Sequence, residues 1–254
     1  MPLFARTTRS VSLTEAGARF IGAVEPALAE IDQAVEGLTA ARGEVTGLLR
    51  INMPRGGLEM ALIPILAKLA RRHPRLTVDV HADQALVDIV AKGFDAGIRL
   101  HRAIQQDMVT TRLTGSFKVI LVASRDYLDV RGMPKSIADL HQHNCIGMRL
   151  GGSGAILEWE LVDGKETIAV KTSGTVLVTD ATQALSLALA GVGIAYVGEP
   201  TARRYLRDGS LKWLLPQTAV EHGGLYLYYP RRASLAPKLR AFIDVAKETL
   251  KSIE

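Results

Sequence analysis

The sequence predicts an α/β fold preceded by one long helix. Three observations support this prediction. A strand, a turn, a helix and a second strand follow one another between residues 48 and 80, and apolar residues recur at heptad spacing in the segment before them. Strands and helices then continue to alternate until an amphipathic segment at residues 236–250. Such alternation is typical of a largely parallel sheet.

The strand–turn–helix–strand unit at 48–80 is the clearest local pattern in the chain, and we interpret the other segments relative to it. Residues 48–52 are a short apolar run of strand character. Residues 53–57, which contain a proline and two glycines, end this run. Apolar residues return at helical spacing over 58–69, and 77–80 begins a second strand. The turn presents backbone amides at a helix N-terminus, where unpaired N–H groups and the helix dipole favour an anion.

The segment before this unit predicts a long helix with an apolar seam. Ser12 and Glu15 have the spacing of a capping box, and Thr14 is a second N-cap candidate, so we expect the helix to begin near Thr14. The seam residues recur at alternating steps of four and three: Phe20, Val24, Ala27, Ile31, Ala34, Leu38 and Ala41. About three heptads of this pattern predict pairing with a second helix. The alternative is a single amphipathic helix lying on its own domain. In either case Pro26 is expected to kink the helix or to cost it one hydrogen bond.

Composition narrows the class of protein. The chain has 254 residues, of which 48% are hydrophobic and 22% are charged, so we expect a soluble globular protein. Its one cysteine, Cys145, excludes an internal disulfide and fits a reducing cytoplasm. We find no signal-peptide pattern and no apolar run long enough for a membrane span, which predicts a cytoplasmic location. The net charge of +5 permits nucleic-acid contact without requiring it.

The N-terminal residues PLFARTTRSVSLTEAG resemble the segment that closes the winged helix-turn-helix of LysR-type transcriptional regulators and opens their linker helix. The basic hairpin, the LTEAG helix start, the heptad helix and the GLLRI strand follow in the order of that family. The resemblance implies that Arg6, Thr7, Thr8 and Arg9 form the wing, which lies close to the DNA backbone.

The resemblance extends to the C-terminus and implies three parts. These are a remnant of the winged helix-turn-helix at 1–13, a linker helix at 14–46 and an effector-binding domain at 47–254. The recognition helix of the family would precede Pro2, which suggests a truncated start, a cloned fragment or a real loss. Because a recognition helix reads base edges in the major groove, we expect this polypeptide alone not to recognise an operator.

The implied effector domain has two α/β lobes, as in periplasmic solute-binding proteins. The first lobe is expected at about 47–123 and 225–254, and the second at about 124–224. We expect the strands at 119–123 and 225–229 to cross between the lobes and create a hinged cleft. We also expect a short helix at 83–91.

The rim of this cleft carries the strongest signal for a site. The positions follow strand ends or begin helices, and the resemblance implies that they bind the effector: Arg55, Gly56, Gly57, Gln84, Arg99, His101, Thr179 and Asp180. Arg55 beside two glycines predicts a small anionic ligand, a carboxylate, between the lobes. The competing interpretation is that Thr179 and Asp180 only cap a helix, that Arg99 pairs with an acid such as Asp95, and that Arg55 is a solvated loop charge.

Other motifs predict neither a metal nor catalysis. His141, His143 and Cys145 form an H-x-H-x-C run, but a structural zinc site needs four ligands and the sequence offers no second cluster. The glycine-rich segment 151–154 lacks the Lys-Ser/Thr of a P-loop. We find no nucleophile elbow and no H-E-x-x-H motif, so we expect no cofactor and no enzyme.

These expectations describe the ligand-sensing part of a LysR-type regulator. Its partners would be a small anionic effector and further copies of itself, as a homodimer or homotetramer, with DNA bound only in a full-length form. Effector binding would be coupled to oligomer geometry, and through it to DNA binding and transcription. The rival hypothesis is a stand-alone solute-binding protein, which would need an export signal and would not need the heptad helix.

Overall fold

A computed structural model describes residues 1–6, 11–40, 44–151, 153–231, 233 and 236–251. These residues form an N-terminal hairpin, one long helix and two α/β lobes. Within those ranges no helix combines the length and the apolar character needed to cross a membrane.

The N-terminal arm begins as a hairpin, in which β1 (Phe4–Arg6) pairs antiparallel with β2 (Val11–Leu13). The helix α1 (Glu15–Ala40) follows directly. The Gly17 amide donates a hydrogen bond of 3.0 Å to the Thr14 hydroxyl, so Thr14 is the N-cap of α1. Of the four wing positions, Arg6 ends β1, whereas Thr7, Thr8 and Arg9 lie outside the described residues.

The predicted seam of α1 faces solvent in the single chain. Phe20, Ile31 and Leu38 are each more than half exposed, Ala27 is exposed and Val24 is half-buried. The helix runs through residue 26 without interruption, while Ala41 of the seam lies outside the described residues. The seam is therefore not packed on the lobes of its own chain, which disfavours the alternative of a helix lying on its own domain.

The first lobe is a five-stranded sheet covered by two helices. Its strands are β3 (Gly47–Met53), β4 (Leu76–Ala82), β5 (Ala96–Leu100), β6 (Val109–Arg112) and β15 (Leu225–Tyr229). They lie in the order β4-β3-β5-β15-β6, with β3 parallel to β4 and β5, and β15 antiparallel to β5 and β6. A π-helical turn at Leu58–Leu62 leads into α2 (Ile63–Arg72), which packs against α6 (Pro237–Lys251).

The core of the first lobe lies between this sheet and the two helices. Leu49, Ile51 and Met53 alternate along β3 and are buried, as the period of a strand requires. Leu239 and Phe242 recur on one face of α6 and are fully buried. Each large apolar side chain buried in this way contributes about 1.5–3 kcal/mol.

The second lobe is built around one central strand. Its elements are β7 (Phe117–Ser124), α3 (Arg125–Arg131), β8 (Gly147–Met148), β9 (Trp159–Asp163), β10 (Glu166–Val170), β11 (Leu177–Val178), α4 (Ala181–Leu189), β12 (Ala195–Gly198), α5 (Glu199–Arg207), β13 (Leu211–Leu214) and β14 (Val220–His222). Antiparallel β12 flanks β7 on one side, and β13 and β14 both pair with it on the other. The parallel pair β8–β11 joins through a bridge between Cys145 and Ile194, and β9–β10 form a separate hairpin.

The structure corrects the expected lobe boundary near residue 123. β7 was expected to cross between the lobes but lies in the second sheet, because its residues 120–123 are buried on both faces as in a central strand. The chain crosses instead at 113–116 and 223–224, immediately before β7 and β15. These segments touch through a hydrogen bond of 2.8 Å from the Leu113 amide to the Leu225 carbonyl.

Gly224 shows why one crossing segment needs glycine. Its φ is +94°, in the region that disfavours other residues. A Cβ atom at this position would lie 2.5 Å from the Thr114 carbonyl oxygen of the other crossing segment. The two backbones therefore approach at a distance that only glycine permits, which defines the hinge between the lobes.

The helix expected at 83–91 is not formed: the chain bends at 84–85, and a turn begins at residue 89. The Asp83 carboxylate accepts a hydrogen bond from the Ala85 amide at 2.9 Å. The Asp88 carboxylate accepts from the amides of Val90 (2.9 Å) and Ala91 (3.0 Å). Such local side-chain acceptors compete with helical hydrogen bonds, which explains why the apolar pattern did not produce a helix.

Candidate functional site

A cavity of about 400 Å³ lies between the two lobes. It is lined by Arg55, Asp83 and Gln84 of the first lobe and by Arg149, Leu150, Gly151, Gly154 and Thr179 of the second. This volume is within the range of small-molecule sites. Three of the eight expected effector residues thus line one cavity, namely Arg55, Gln84 and Thr179.

Arg55 reaches the cavity from the turn between β3 and the π-helical turn. This turn is closed by a hydrogen bond of 2.8 Å from the Gly57 amide to the Pro54 carbonyl. The amide of Gly57 is therefore not free to bind an anion, contrary to expectation. Gly56 has open space around the position of a Cβ atom, and neither glycine has a positive φ. The side chain of Arg55 lines the cavity, whereas neither glycine is among the lining residues.

Asp180 serves both of the roles that the sequence left open. It is the N-cap of α4, because its Oδ1 accepts hydrogen bonds from the amides of Thr182 and Gln183, both at 2.9 Å. The Thr182 hydroxyl also donates to Oδ1. The other carboxylate oxygen, Oδ2, lies 3.6 Å from Nη1 of Arg55 across the cleft. Asp180 therefore links the cap of α4 to the opposite lobe.

Thr179 stands beside this cap at the cavity wall. Its amide and its hydroxyl both donate to the Gln183 side-chain oxygen, at 3.1 and 3.3 Å. The hydroxyl oxygen retains its capacity to accept a hydrogen bond, because it acts only as a donor in this contact. Thr179 is exposed, so a ligand in the cavity can reach it.

The structure corrects the expectation that Arg99 faces the crevice. Arg99 is buried, and its Nη1 donates to the Ile98 carbonyl at 2.7 Å. Its Nη2 donates to Asn52 Oδ1 (2.7 Å) and to the carbonyls of Asp83 (3.1 Å) and Ala85 (2.7 Å). Burial lowers the pKa of this guanidinium from its usual value. Arg99 is therefore a support beneath the loop that carries Asp83 and Gln84, and it does not pair with Asp95 as the alternative proposed.

His101 also lies away from the lining of the cavity. It is exposed, and its ring packs edge-on against Tyr226 with 4.9 Å between the ring centroids. The next residue, Arg102, approaches the Glu160 carboxylate of the second lobe to 3.7 Å. This short segment after β5 thus contributes to contact between the lobes, and the expected contact of His101 with the effector is corrected.

Sequence reasoning missed Arg149 and treated the segment after it as an ordinary loop. Leu150 and Gly154 close a hairpin turn, because the Leu150 amide donates to Ala155 (2.8 Å) and the Gly154 amide to Leu150 (3.1 Å). Arg149 Nη1 donates to the Gly154 carbonyl at 2.7 Å. A Cβ atom on Gly151 would lie 3.2 Å from the Ala85 amide nitrogen, so the loop meets the first lobe. The sequence signal that could have identified Arg149 is its position between β8 and the glycine-rich segment 151–154.

The H-x-H-x-C run has a structural explanation. His143 is buried with its Nδ1 3.1 Å from the Tyr127 hydroxyl, and burial lowers the pKa of His143. Burial also raises the pKa of the Cys145 thiol to about 12, so the thiol stays protonated at neutral pH. Among the described residues, no three His, Cys, Asp or Glu side chains are grouped to hold a metal ion.

Comparisons with known proteins agree on one family. The family model described as the LysR substrate binding domain matches residues 42–251. YcaN of Escherichia coli, named an uncharacterised HTH-type transcriptional regulator, is 34% identical over 96% of this chain and 80% of its own length. PgrR of the same species, named an HTH-type transcriptional regulator, is 30% identical over 96% and 82%. The full-length structure of the Vibrio cholerae virulence activator AphB, described as a member of the LTTR family, matches with a TM-score of 0.71 and 25% identity, over 98% of this chain and 84% of its own.

Proposed function

This chain belongs to the LysR family of transcriptional regulators, and we propose that the cavity between its lobes binds a small carboxylate effector. The observation that carries the proposal is the half-exposed guanidinium of Arg55 at the cavity wall, opposite the Thr179 hydroxyl of the other lobe. A guanidinium forms charge-assisted hydrogen bonds with a carboxylate, which are stronger than neutral ones. Gln84 of the first lobe and Arg149 of the second supply further donors in the lining of the cavity.

A ligand bound between two hinged lobes can change how the lobes are arranged. A ligand that contacts Arg55 and Thr179 together interacts better with a closed arrangement of the lobes than with an open one. Differential affinity of this kind shifts the population toward the closed arrangement. The crossing segments at 113–116 and 223–224 are the positions at which the backbone angles would change.

The arm would carry this change to the DNA. In this proposal residues 1–13 correspond to the end of the family's winged helix-turn-helix, 14–46 are the linker helix and the remainder senses the effector. Copies of the chain pair through the seam of α1, and effector binding alters the geometry of the oligomer and hence DNA binding. The protein would act in the cytoplasm, where its operator and a metabolic effector are both present.

Calorimetric titration of the chain with a panel of small organic acids tests the proposal. We expect at least one acid to bind with a stoichiometry of one per chain, and we expect binding to weaken as ionic strength rises. Methyl esters of the same acids are the matched controls and should bind more weakly, because they lack the charge that Arg55 recognises. Binding only of compounds that lack a carboxylate would contradict the proposal.

Self-association through α1 is tested by Ile31→Asp. Ile31 is exposed in the single chain, and burial of such a side chain contributes about 1.5–3 kcal/mol to pairing. A carboxylate in the seam should therefore shift the protein toward monomer in sedimentation velocity. Ala18→Asp is the matched control, because it adds the same charge at an exposed position of α1 outside the seam. Equal masses for all three proteins would exclude this seam as a necessary interface.

A further inference from the structure

One carboxylate oxygen of Asp180 is buried and accepts no hydrogen bond from the residues that the structure describes. Its side chain is 1% exposed, and Oδ1 is saturated by the cap of α4. None of the described residues donates a hydrogen bond to Oδ2. Nη1 of Arg55, at 3.6 Å, supplies a charge but lies beyond hydrogen-bonding distance. A buried polar atom without a hydrogen bond costs free energy, so this oxygen favours a ligand that brings a donor.

A simple carboxylate fits this charge arrangement poorly. If the ligand shared Arg55 with Asp180, two negative groups would meet at one guanidinium and would repel each other. If the ligand drew Arg55 away, the buried carboxylate of Asp180 would lose the cation that faces it, which is strongly unfavourable. Arg149, the other cation of the wall, already donates to the Gly154 carbonyl, and Asp83 adds a further negative charge.

A ligand that carries both charges removes this conflict. We propose that the effector is a zwitterionic α-amino acid, whose carboxylate binds Arg55 while its ammonium group donates to Oδ2 of Asp180. This inference rests on the proposed function of the cavity and specifies its ligand. Nη1 of the half-exposed Arg55 side chain faces Oδ2 at 3.6 Å, and the ammonium group reaches Oδ2 when the guanidinium turns toward the ligand carboxylate.

The spacing of the protein groups selects α-amino acids among zwitterions. Arg55 Nη1 and Asp180 Oδ2 are only 3.6 Å apart, so the two ligand charges must also be neighbours. The ammonium and carboxylate groups of an α-amino acid are attached to the same carbon atom. A zwitterion with widely separated charges, such as a peptide, would reach one protein group and miss the other. The amino-acid side chain then extends into the cavity along Gln84 and Arg149.

Matched pairs of ligands test the inference on the whole 254-residue chain. The probes are α-amino acids and the α-hydroxy acids of the same skeleton: alanine with lactate, aspartate with malate, and phenylalanine with phenyllactate. Calorimetry should give at least tenfold tighter binding for the amino acid in the pair that fits best. The hydroxy acid keeps the carboxylate and a neutral donor but lacks the positive charge.

Asp180→Asn is the decisive variant, because asparagine caps helices as well as aspartate does and keeps the size of the side chain. We expect the amino acid to bind at least tenfold more weakly, and the hydroxy acid to bind equally or more tightly, because an amide N–H replaces the negative oxygen. Asp180→Ser, which also caps a helix but carries no charge, should show the same loss. Urea unfolding midpoints of both variants confirm that α4 remains formed.

The outcomes distinguish a failure of the zwitterion inference from a failure of the carboxylate proposal. If hydroxy acids bind as tightly as amino acids and Asp180→Asn leaves both affinities unchanged, the zwitterion inference is overturned while the carboxylate proposal stands. If no organic acid binds, with or without an amino group, both are overturned. Amino-acid binding that depends on Asp180 supports both.

Discussion

Replacing Arg99 by alanine is expected to lower the free energy of unfolding by about 3–5 kcal/mol, because two buried and two partly buried acceptors lose a charged donor at once. The carbonyls of Ile98, Asp83 and Ala85 and the side chain of Asn52 all accept hydrogen bonds from its guanidinium. Each acceptor left buried without a donor costs about 1–3 kcal/mol, and relaxation of the loop recovers part of the loss. Urea unfolding followed by circular dichroism measures the change.

Arg203→Ala is the matched control. Arg203 is an exposed arginine on α5 that pairs with Glu199 one helical turn away at 2.9 Å. A pair of this kind contributes about 0.3–0.5 kcal/mol, so the control should unfold nearly as the unaltered chain does. A loss at Arg99 no larger than the loss at Arg203 would show that the guanidinium does not support the loop at 83–85.

Replacing Arg55 by alanine is expected to weaken carboxylate binding ten- to a hundredfold. A charge-assisted hydrogen bond contributes about 1.5–3 kcal/mol, and 1.4 kcal/mol corresponds to a factor of ten. In this variant Asp180 keeps its cap hydrogen bonds but loses the cation that faces it, so urea unfolding of the variant is measured beside the titration. Calorimetry with the tightest acid of the panel measures the loss.

Arg55→Lys keeps the positive charge but replaces the planar guanidinium fork by a single ammonium group. It should recover part of the affinity that Arg55→Ala loses. The recovered part reports the contribution of the positive charge, and the remainder reports that of the guanidinium geometry. An acid that binds all three proteins equally would place the binding site away from Arg55.

The fold class followed from the sequence because periodicity is a local property. The apolar spacing around 48–80 and the cap at Asp180 specify their strand and helices with little help from distant residues. The run at 119–123 also predicted a strand correctly. Its place in the second sheet depended on three partner strands distributed over residues 195–222, which the run itself does not encode.

The site was only partly predictable, and Arg99 explains why. An arginine at the end of a strand can face a cleft or support a loop, and the choice depends on where the nearby carbonyls point. Here the loop at 83–85 failed to form a helix and turned its carbonyls toward Arg99. Arg149 was not predicted as a site residue, because its position at the cavity depends on the close approach of Gly151 to Ala85 of the other lobe. The local sequence does not encode that approach.

The cap residue Asp180 combines a predictable and an unpredictable role. Its spacing before α4 identified the cap, which uses only one of its two carboxylate oxygens. The second oxygen faces Arg55, more than a hundred residues earlier in the chain, and only the packing of the lobes brings the two together. Functional contacts of this kind arise from tertiary structure rather than from local sequence.

The position of a bound effector tests the central claim most directly. A crystal structure of the chain with the tightest acid of the panel should place the ligand between the lobes, with its carboxylate about 2.7–3.2 Å from the guanidinium nitrogens of Arg55. The same acid bound instead in the outer pocket of the second lobe, between Val130, Arg131 and Val192, would contradict the claim.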